Sequence, residues 1–240
     1  MAEQTKSSFS SKAVMLLGLT LVSLSLGAVI WLAWARSATQ PQMSDHKESE
    51  ADSPDGSSAI DWDYLWSINP SIVGWISISG TEISYPIARA PQDDPTFYLS
   101  HDVWGNWNPY GCPYISAESS LDCSEWSSCI IFGHNMDDGS MFAPLTSYRN
   151  ASWARDHAAV RIQTPSDDLF LQVNFVRIVD AETETHPIGT LNQTEFSEWY
   201  LKQIESADVL IQRPRENFSI TLCTCSYGTF ESQRTLVYLS

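Results

Sequence analysis

Short apolar segments separated by turn residues occupy most of the chain from residue 72 to its end. Residues 72–78 and 83–88 flank a Ser-Gly-Thr-Glu segment at 79–82, which is a β-hairpin signal. Residues 169–179 alternate apolar and polar side chains, as a strand with one buried face does. Many short strands with turns between them predict a mostly β domain, either a barrel or a sandwich.

Two helices are predicted beside these strands. Residues 60–70 place apolar side chains at helical spacing and end at a proline, which is a helix stop signal. Residues 193–210 place Phe196, Tyr200 and Ile204 roughly along one helical face. The expected domain therefore has one helix before its strands and one helix inserted among the later ones.

The N-terminal part of the chain has a different composition. Residues 13–35 contain no charge over 23 positions, which makes a helix of about 35 Å, long enough to span a bilayer. A cleaved signal peptide is the alternative, because Ala33-Trp34-Ala35 fits a cleavage pattern, but its apolar core is usually only ~7–15 residues long. We expect a transmembrane signal anchor, with residues 1–12 cytoplasmic and the remainder extracellular, in a single-pass protein of the cell membrane.

Residues 36–59 are rich in Ser, Asp, Glu and Pro and have almost no large apolar side chains. Such a segment buries too little surface to offset its ordering entropy, so we expect a flexible extracellular stalk. The folded domain is then expected over residues 60–240. The formal net charge of −16, with scattered Lys and Arg, argues against nucleic acid as a partner.

His134, Cys225 and Arg234 form a candidate catalytic set. A cysteine thiolate is a strong nucleophile toward a carbonyl carbon, and a nearby imidazole can accept the thiol proton and later protonate the leaving amine. A guanidinium can donate hydrogen bonds to the oxyanion that forms. The set therefore suffices for acyl transfer with no cofactor or metal, although residue types alone are weak evidence.

The sequence around these residues carries two motifs. Residues 221–225, Thr-Leu-Cys-Thr-Cys, match a Thr-Leu-x-Thr-Cys signature, and Arg234 follows nine residues later. A Gly-His-Asn run stands at 133–135. In both motifs the chain resembles the sortases, membrane-anchored cysteine transpeptidases of Gram-positive bacteria. Three further segments resemble class B sortases in particular: 68–88, 97–111 and 193–210.

The resemblance implies a closed sortase-type β-barrel of about eight strands, with an N-terminal helix and a helix inserted between strands six and seven. It makes residues 60–240 the catalytic domain. The implied reaction cleaves a C-terminal sorting signal of secreted surface proteins through a thioacyl-enzyme and transfers the product to an amine of a peptidoglycan precursor or a pilin.

The resemblance also assigns roles to individual residues. It makes Cys225 the nucleophile, His134 the general acid and base, and Arg234 the group that stabilises the oxyanion. It implies that three residues line the substrate pocket: Tyr98, Leu99 and Thr224. One departure is Ser226, since many class B sortases have an acidic residue directly after the cysteine.

Several alternatives stay open at this stage. A zinc site would need further ligands, and Cys112, Cys123, Cys129 and His134 match no compact zinc-finger spacing. Cys112, Cys123 and Cys129 either form a disulfide or stay reduced. The protein is alternatively a catalytically silent surface or adhesion module, or a cysteine peptidase in which water resolves the acyl-enzyme. The sorting motif and the acceptor amine are not defined by the sequence.

Overall fold

Ten β-strands and three α-helices are formed by the residues that the computed structural model describes, which are 60–214, 217–229 and 231–240. The strands are β1 (Ile72–Ile78), β2 (Ser84–Arg89), β3 (Tyr114–Ile115), β4 (Ser127–Phe132), β5 (Ala159–Gln163), β6 (Asp168–Asp180), β7 (Gly189–Thr190), β8 (Val209–Leu210), β9 (Ser219–Cys225) and β10 (Gln233–Leu239). The helices are α1 (Trp62–Ile68), α2 (Ala151–Asp156) and α3 (Gln193–Glu205). Two 3₁₀ segments lie at Phe97–Leu99 and Ala143–Arg149.

Eight of these strands close into a barrel. The order of hydrogen-bonded neighbours is β10, β9, β4, β3, β2, β1, β5 and β6, and β6 pairs with β10 to complete the circle. The short strands β7 and β8 attach to β4 and β6. Helix α1 precedes the first strand, and α3 lies between β6 and β9, the sixth and seventh strands of the barrel. The predicted fold class is therefore confirmed.

The barrel interior is filled by aliphatic and aromatic side chains. Along β1 buried and half-buried residues alternate, as expected where one strand face meets a core. Ile76, Ile131 and Leu222 on three different strands are fully buried in one cluster. Each such side chain contributes roughly 1.5–3 kcal/mol by leaving water, so the barrel wall is a rigid support for side chains on its outer face.

A second apolar cluster forms where α3 packs against the outer face of the barrel. The helix starts in a capping box, in which the Asn192 side chain accepts the Glu195 N–H and the Glu195 carboxylate accepts the Asn192 N–H. Its buried residues Phe196 and Tyr200 pack with Phe175 of β6 and with other outward-facing residues of the barrel. The inserted helix therefore covers one part of the outer wall and leaves the neighbouring ends of β9 and β10 uncovered by it.

The domain predictions for residues 1–59 stay predictions, and only the predicted localisation requires a correction. The cytoplasmic segment (1–12), the transmembrane helix (13–35) and the stalk (36–59) all lie outside the described residues. Among the helices that are described, none has the length and apolar character needed to cross a membrane. For the part of the chain that the structure describes, the predicted single-pass membrane localisation is wrong.

Candidate active site

Cys225 and Arg234 face each other across two neighbouring strands. Strands β9 and β10 are antiparallel, and their register places Cys225 directly opposite Arg234. Side chains at directly opposed positions have Cβ atoms about 4.5–5.5 Å apart and lie on the same face of the sheet. Both residues are half-buried. The fold therefore brings a thiol and a guanidinium together at one rim of the barrel, where solvent reaches them.

The two cysteines of β9 occupy different environments on the same strand face. Cys223 is 6% exposed and belongs to the apolar cluster that α3 covers, whereas Cys225 is half-buried at the strand end. Burial raises the pKa of the Cys223 thiol to about 12, against which the nearby Arg234 charge acts only weakly. Cys223 therefore stays protonated near neutral pH and is shielded from a substrate. Of the two thiols, Cys225 is the one that a substrate can reach.

His134 reaches the same rim from a third strand. Strand β4 runs parallel to β9, and its last residue, Phe132, is level with Cys223. The pairing continues one step further, because the Gly133 N–H donates to the Cys223 carbonyl at 3.1 Å. His134 follows next and therefore lies at the level of Cys225. Parallel pairing of two strands far apart in sequence is what brings His134 to the same rim of the barrel as Cys225.

The His134 imidazole is oriented by a backbone carbonyl. Its Nε2 lies 2.7 Å from the Leu99 carbonyl oxygen, and since a carbonyl only accepts, Nε2 must carry the proton. In the neutral ring Nδ1 is then the atom left to accept a proton. His134 therefore has the tautomer that a general base requires.

Leu99 and Tyr98, both predicted to line the pocket, belong to the 3₁₀ segment Phe97–Leu99. Leu99 is half-buried, and its carbonyl holds His134. Tyr98 is 3% exposed, and its hydroxyl accepts a hydrogen bond from Asn69 Nδ2 at 2.8 Å. Gly111 closes this loop at φ 63°, where an added Cβ would lie 2.2 Å from the Tyr98 carbonyl oxygen. The loop is thus built to fix the Leu99 carbonyl in place.

Thr224, the third residue predicted to line the pocket, is 1% exposed. Its hydroxyl donates to the Gly133 carbonyl at 2.8 Å. This bond joins the residue directly before Cys225 to the residue directly before His134. In the structure Thr224 therefore connects the two strand ends that carry the thiol and the imidazole.

Two aromatic residues beside the thiols were missed by the sequence reasoning. Tyr114 of β3 is level with Phe132 of β4, and the two rings stack with centroids 5.4 Å apart. Burial raises the pKa of the Tyr114 hydroxyl to about 12, and the neighbouring thiols of Cys223 and Cys225 add to the rise. Tyr114 is 6% exposed, so its ring packs below the surface near the thiols of Cys223 and Cys225. The one sequence signal was the aromatic residue immediately before the Gly-His-Asn run.

The other cysteines lie elsewhere. In the structure Cys112, Cys123 and Cys129 are free thiols, and burial raises the pKa of both Cys123 and Cys129 to about 12. Burial also raises the pKa of Cys112. Within the described ranges, no group of three or more His, Cys, Asp or Glu side chains is arranged to hold a metal ion. The free thiols other than Cys225 are therefore kept protonated by burial.

Comparison with known proteins gives a consistent family of relatives. No family model matches the chain. Sortase B of Listeria monocytogenes is 29% identical over 168 residues, covering 67% of this chain but only 65% of the relative, slightly less than two thirds of its length. Sortase B of Staphylococcus aureus is 25% identical over 186 residues, covering 73% of this chain and 72% of the relative.

Solved sortase B structures share the fold of this chain. Clostridium perfringens sortase B matches with a TM-score of 0.65 and 22% identity, covering 74% of this chain and 97% of that one. A Staphylococcus aureus sortase B–substrate complex matches with a TM-score of 0.66 and 22% identity, covering 82% of this chain and 88% of that one. At this identity the structural matches establish the fold. The two sequence relatives are both sortase B proteins, in agreement with the family that the sequence motifs predicted.

Proposed function

We propose that this member of the sortase family, whose relatives are class B sortases, is a cysteine transpeptidase with its catalytic domain in residues 60–240. The proposed enzyme cleaves a peptide bond in a C-terminal sorting signal and transfers the acyl fragment to an amine. The observation that carries this proposal is the convergence of three strand ends, which sets Cys225 opposite Arg234 and level with His134.

The first half of the proposed reaction forms a thioester. The Cys225 thiol gives its proton to Nδ1 of His134, and the thiolate sulfur bonds to the carbonyl carbon of the scissile peptide. The carbonyl π electrons move onto oxygen, and Arg234 donates hydrogen bonds to the resulting oxyanion. When the tetrahedral species collapses, the carbon–nitrogen bond breaks and the imidazolium protonates the departing amine. The protein retains the acyl fragment on sulfur.

The second half reverses these roles with a different amine. A neutral acceptor amine attacks the thioester carbonyl, His134 removes its proton, and the carbon–sulfur bond breaks to restore the Cys225 thiol. The Leu99 carbonyl supports both halves, because it accepts a hydrogen bond from Nε2 in each charge state of the ring. The acceptor that we propose is the amine of a peptidoglycan precursor or of a pilin.

The proposed substrate is a peptide because the site offers peptide-binding features. The rim is open, the stacked Tyr114 and Phe132 rings pack below it, and Arg234 supplies a fixed cation for a carbonyl oxygen. The related Staphylococcus aureus sortase B has been solved as a substrate complex. A peptide lying across the ends of β4, β9 and β10 would place its carbonyl between the thiol and the guanidinium.

The test is an incubation of the full chain with a library of sorting-signal peptides and a panel of amines, with products identified by mass. We expect a cleaved peptide joined to an amine, and no product from Cys225→Ala. If the peptide is only hydrolysed in the presence of each amine, the protein is a peptidase and not a transpeptidase. The absence of cleavage across the library would favour a catalytically silent module.

A further inference from the structure

Gln233 is a buried amide immediately before Arg234 on β10, and it contacts both halves of the candidate site. The structure assigns Gln233 as a positioning residue that holds the turn after the nucleophile and the guanidinium of Arg234 in one arrangement. This inference rests on the proposed function. It adds a residue that neither of the two sequence motifs includes.

The side chain of Gln233 holds the turn that follows Cys225. Its Nε2 donates to the Ser226 hydroxyl oxygen at 3.0 Å, and its Oε1 accepts the Thr229 N–H at 2.8 Å. Gln233 and Ser226 are each 2% exposed. Hydrogen bonds between buried polar groups are costly to lose, because water does not replace the missing partner. The residue after the nucleophile is therefore fixed by the amide.

The backbone of Gln233 holds the other half of the site. Its carbonyl oxygen accepts the Ser226 N–H at 3.0 Å and also accepts a hydrogen bond from Nη1 of Arg234 at 3.0 Å. One residue thus bonds to the position after Cys225 and to the guanidinium opposite it. Gln233 therefore links the residue after the thiol to the guanidinium of Arg234.

The geometry of the turn fits an amide at this position. An ideal Cβ on Gly228 would lie 3.0 Å from Gln233 Oε1 and 3.2 Å from its Nε2, so the turn packs closely over the side chain. The position needs an acceptor for the Thr229 N–H and a partner for the Ser226 hydroxyl at once, and glutamine supplies both. Ser226 takes part as a short buried hydroxyl, where many class B sortases have an acidic residue.

Hydrogen exchange on the full chain tests the structural half without requiring activity. In Gln233→Met the Thr229 amide loses its acceptor, and we expect its exchange to accelerate at least ~10-fold. The Ser226 amide keeps its backbone partner and is expected to stay protected. Gln233→Glu retains an acceptor for the Thr229 amide and is expected to restore protection. Gln212→Met, at an exposed glutamine, is the matched control.

Turnover of a sorting-signal peptide tests the positioning half. For Gln233→Met we expect kcat to fall about 10- to 100-fold, the range that misplaced reacting groups produce, with KM nearly unchanged. Gln233→Glu is expected to recover most of this loss, and a melting curve shows whether each variant is folded. Wild-type exchange at Thr229 in the methionine variant would overturn the inference. Faster exchange with unchanged kcat would also overturn it, because Gln233 would then be purely structural.

These experiments distinguish failure of the proposed function from failure of the inference about Gln233. Should the wild-type chain cleave none of the peptides, the proposed function fails, and the role of Gln233 in that reaction fails with it. The exchange of Thr229 still reports whether the amide holds the turn. Should the wild type cleave a peptide and Gln233→Met match its kcat, the proposed function stands and only the inference about Gln233 is overturned.

Discussion

Two regions on the outer face of the barrel each contain a histidine and an arginine, yet their chemistry differs. The rim site comprises Cys225, His134 and Arg234. The buried cluster lies beneath α3 and comprises Arg177, Glu184, His186, Gln203 and Tyr238. Residue types alone do not distinguish these regions, so the difference lies in burial, partners and access.

In the buried cluster the charged groups pair within the protein, and the Arg177 and Glu184 side chains are 15% and 18% exposed. Arg177 donates to the Glu184 carboxylate at 2.8 Å and also bonds to Gln203. His186 Nε2 lies 3.0 Å from the Ser128 hydroxyl oxygen. Burial, with a smaller contribution from the Arg177 charge, lowers the pKa of His186 to about 4. This imidazole therefore stays neutral near pH 7, and its hydroxyl partner Ser128 is 1% exposed, out of reach of a substrate.

At the rim site the same residue types face solvent. The imidazole of His134 is half-buried, and its Nε2 donates to the Leu99 carbonyl oxygen. The arginine lies opposite a half-buried thiol. A histidine becomes a candidate base where its tautomer is fixed and a thiol lies at the same level of the neighbouring strand. Position at strand ends, more than composition, distinguishes the rim site.

The largest expected effect separates the two cysteines of β9. Cys225→Ala is expected to abolish peptide cleavage, because it removes the accessible nucleophile. Cys223→Ser is expected to fold and keep substantial activity, because its thiol is buried and protonated. The measurement is cleavage of a sorting-signal peptide by each folded variant. An active Cys225→Ala together with an inactive Cys223→Ser would reverse the assignment.

The next effect contrasts the two arginines. Arg234→Lys keeps the charge but loses the planar fork, and we expect at least ~100-fold loss of kcat/KM, as for removal of an oxyanion donor. Arg177→Lys is the matched variant, and we expect near wild-type turnover with about 1–3 kcal/mol lower free energy of unfolding. Peptide cleavage and circular-dichroism melts measure both. Equal losses of turnover would remove the distinction between the two regions.

The third contrast concerns His186 and pH. Its pKa is about 4 in the folded protein against 6.5 as the reference value, so above pH 6.5 it is neutral in both states and costs nothing. Between pH 6.5 and 4 the unfolded chain binds a proton that the folded protein does not, and stability falls by about 3 kcal/mol. His186→Gln should lose this dependence. Denaturant melts from pH 7 to 4 measure the difference, with His157→Gln as the control.

That result would be contradicted if wild type and His186→Gln lost the same stability between pH 7 and 4. His186 would then titrate equally in the folded and unfolded states, and the buried cluster around it would be open to water. The contrast between the two regions depends on the buried cluster being closed to water.

Strand-level features were predictable because they leave local patterns. The alternation over residues 169–179 became β6, and the apolar face of 193–210 became α3, although that helix ends at Glu205 and a short strand, β8, follows at Val209–Leu210. Closure of the barrel is not a local property, since it depends on β6 pairing with β10. It entered the prediction only through the family resemblance.

The site residues that lie in or near recognisable sequence motifs were predictable. His134, Cys225 and Arg234 lie within or next to quotable sequence runs. Tyr114 and Gln233 do not, because their importance arises from lateral register and from a side chain folding back over a turn. The pocket role of Thr224 stays a prediction, whereas the bond by which its hydroxyl joins two strand ends was not foreseen. Nothing in a linear sequence distinguishes these two uses of a threonine.

Capture of the thioacyl intermediate tests the central claim most directly. The full chain is mixed with a sorting-signal peptide without added amine, quenched in acid, digested with trypsin and analysed by mass. Cys223 and Cys225 share the tryptic peptide 216–234, so fragmentation must assign the modified sulfur. We predict that the acyl fragment is on Cys225 and absent from Cys223. Cleavage of the peptide with the acyl fragment on Cys223, or with none on either sulfur, would contradict the account.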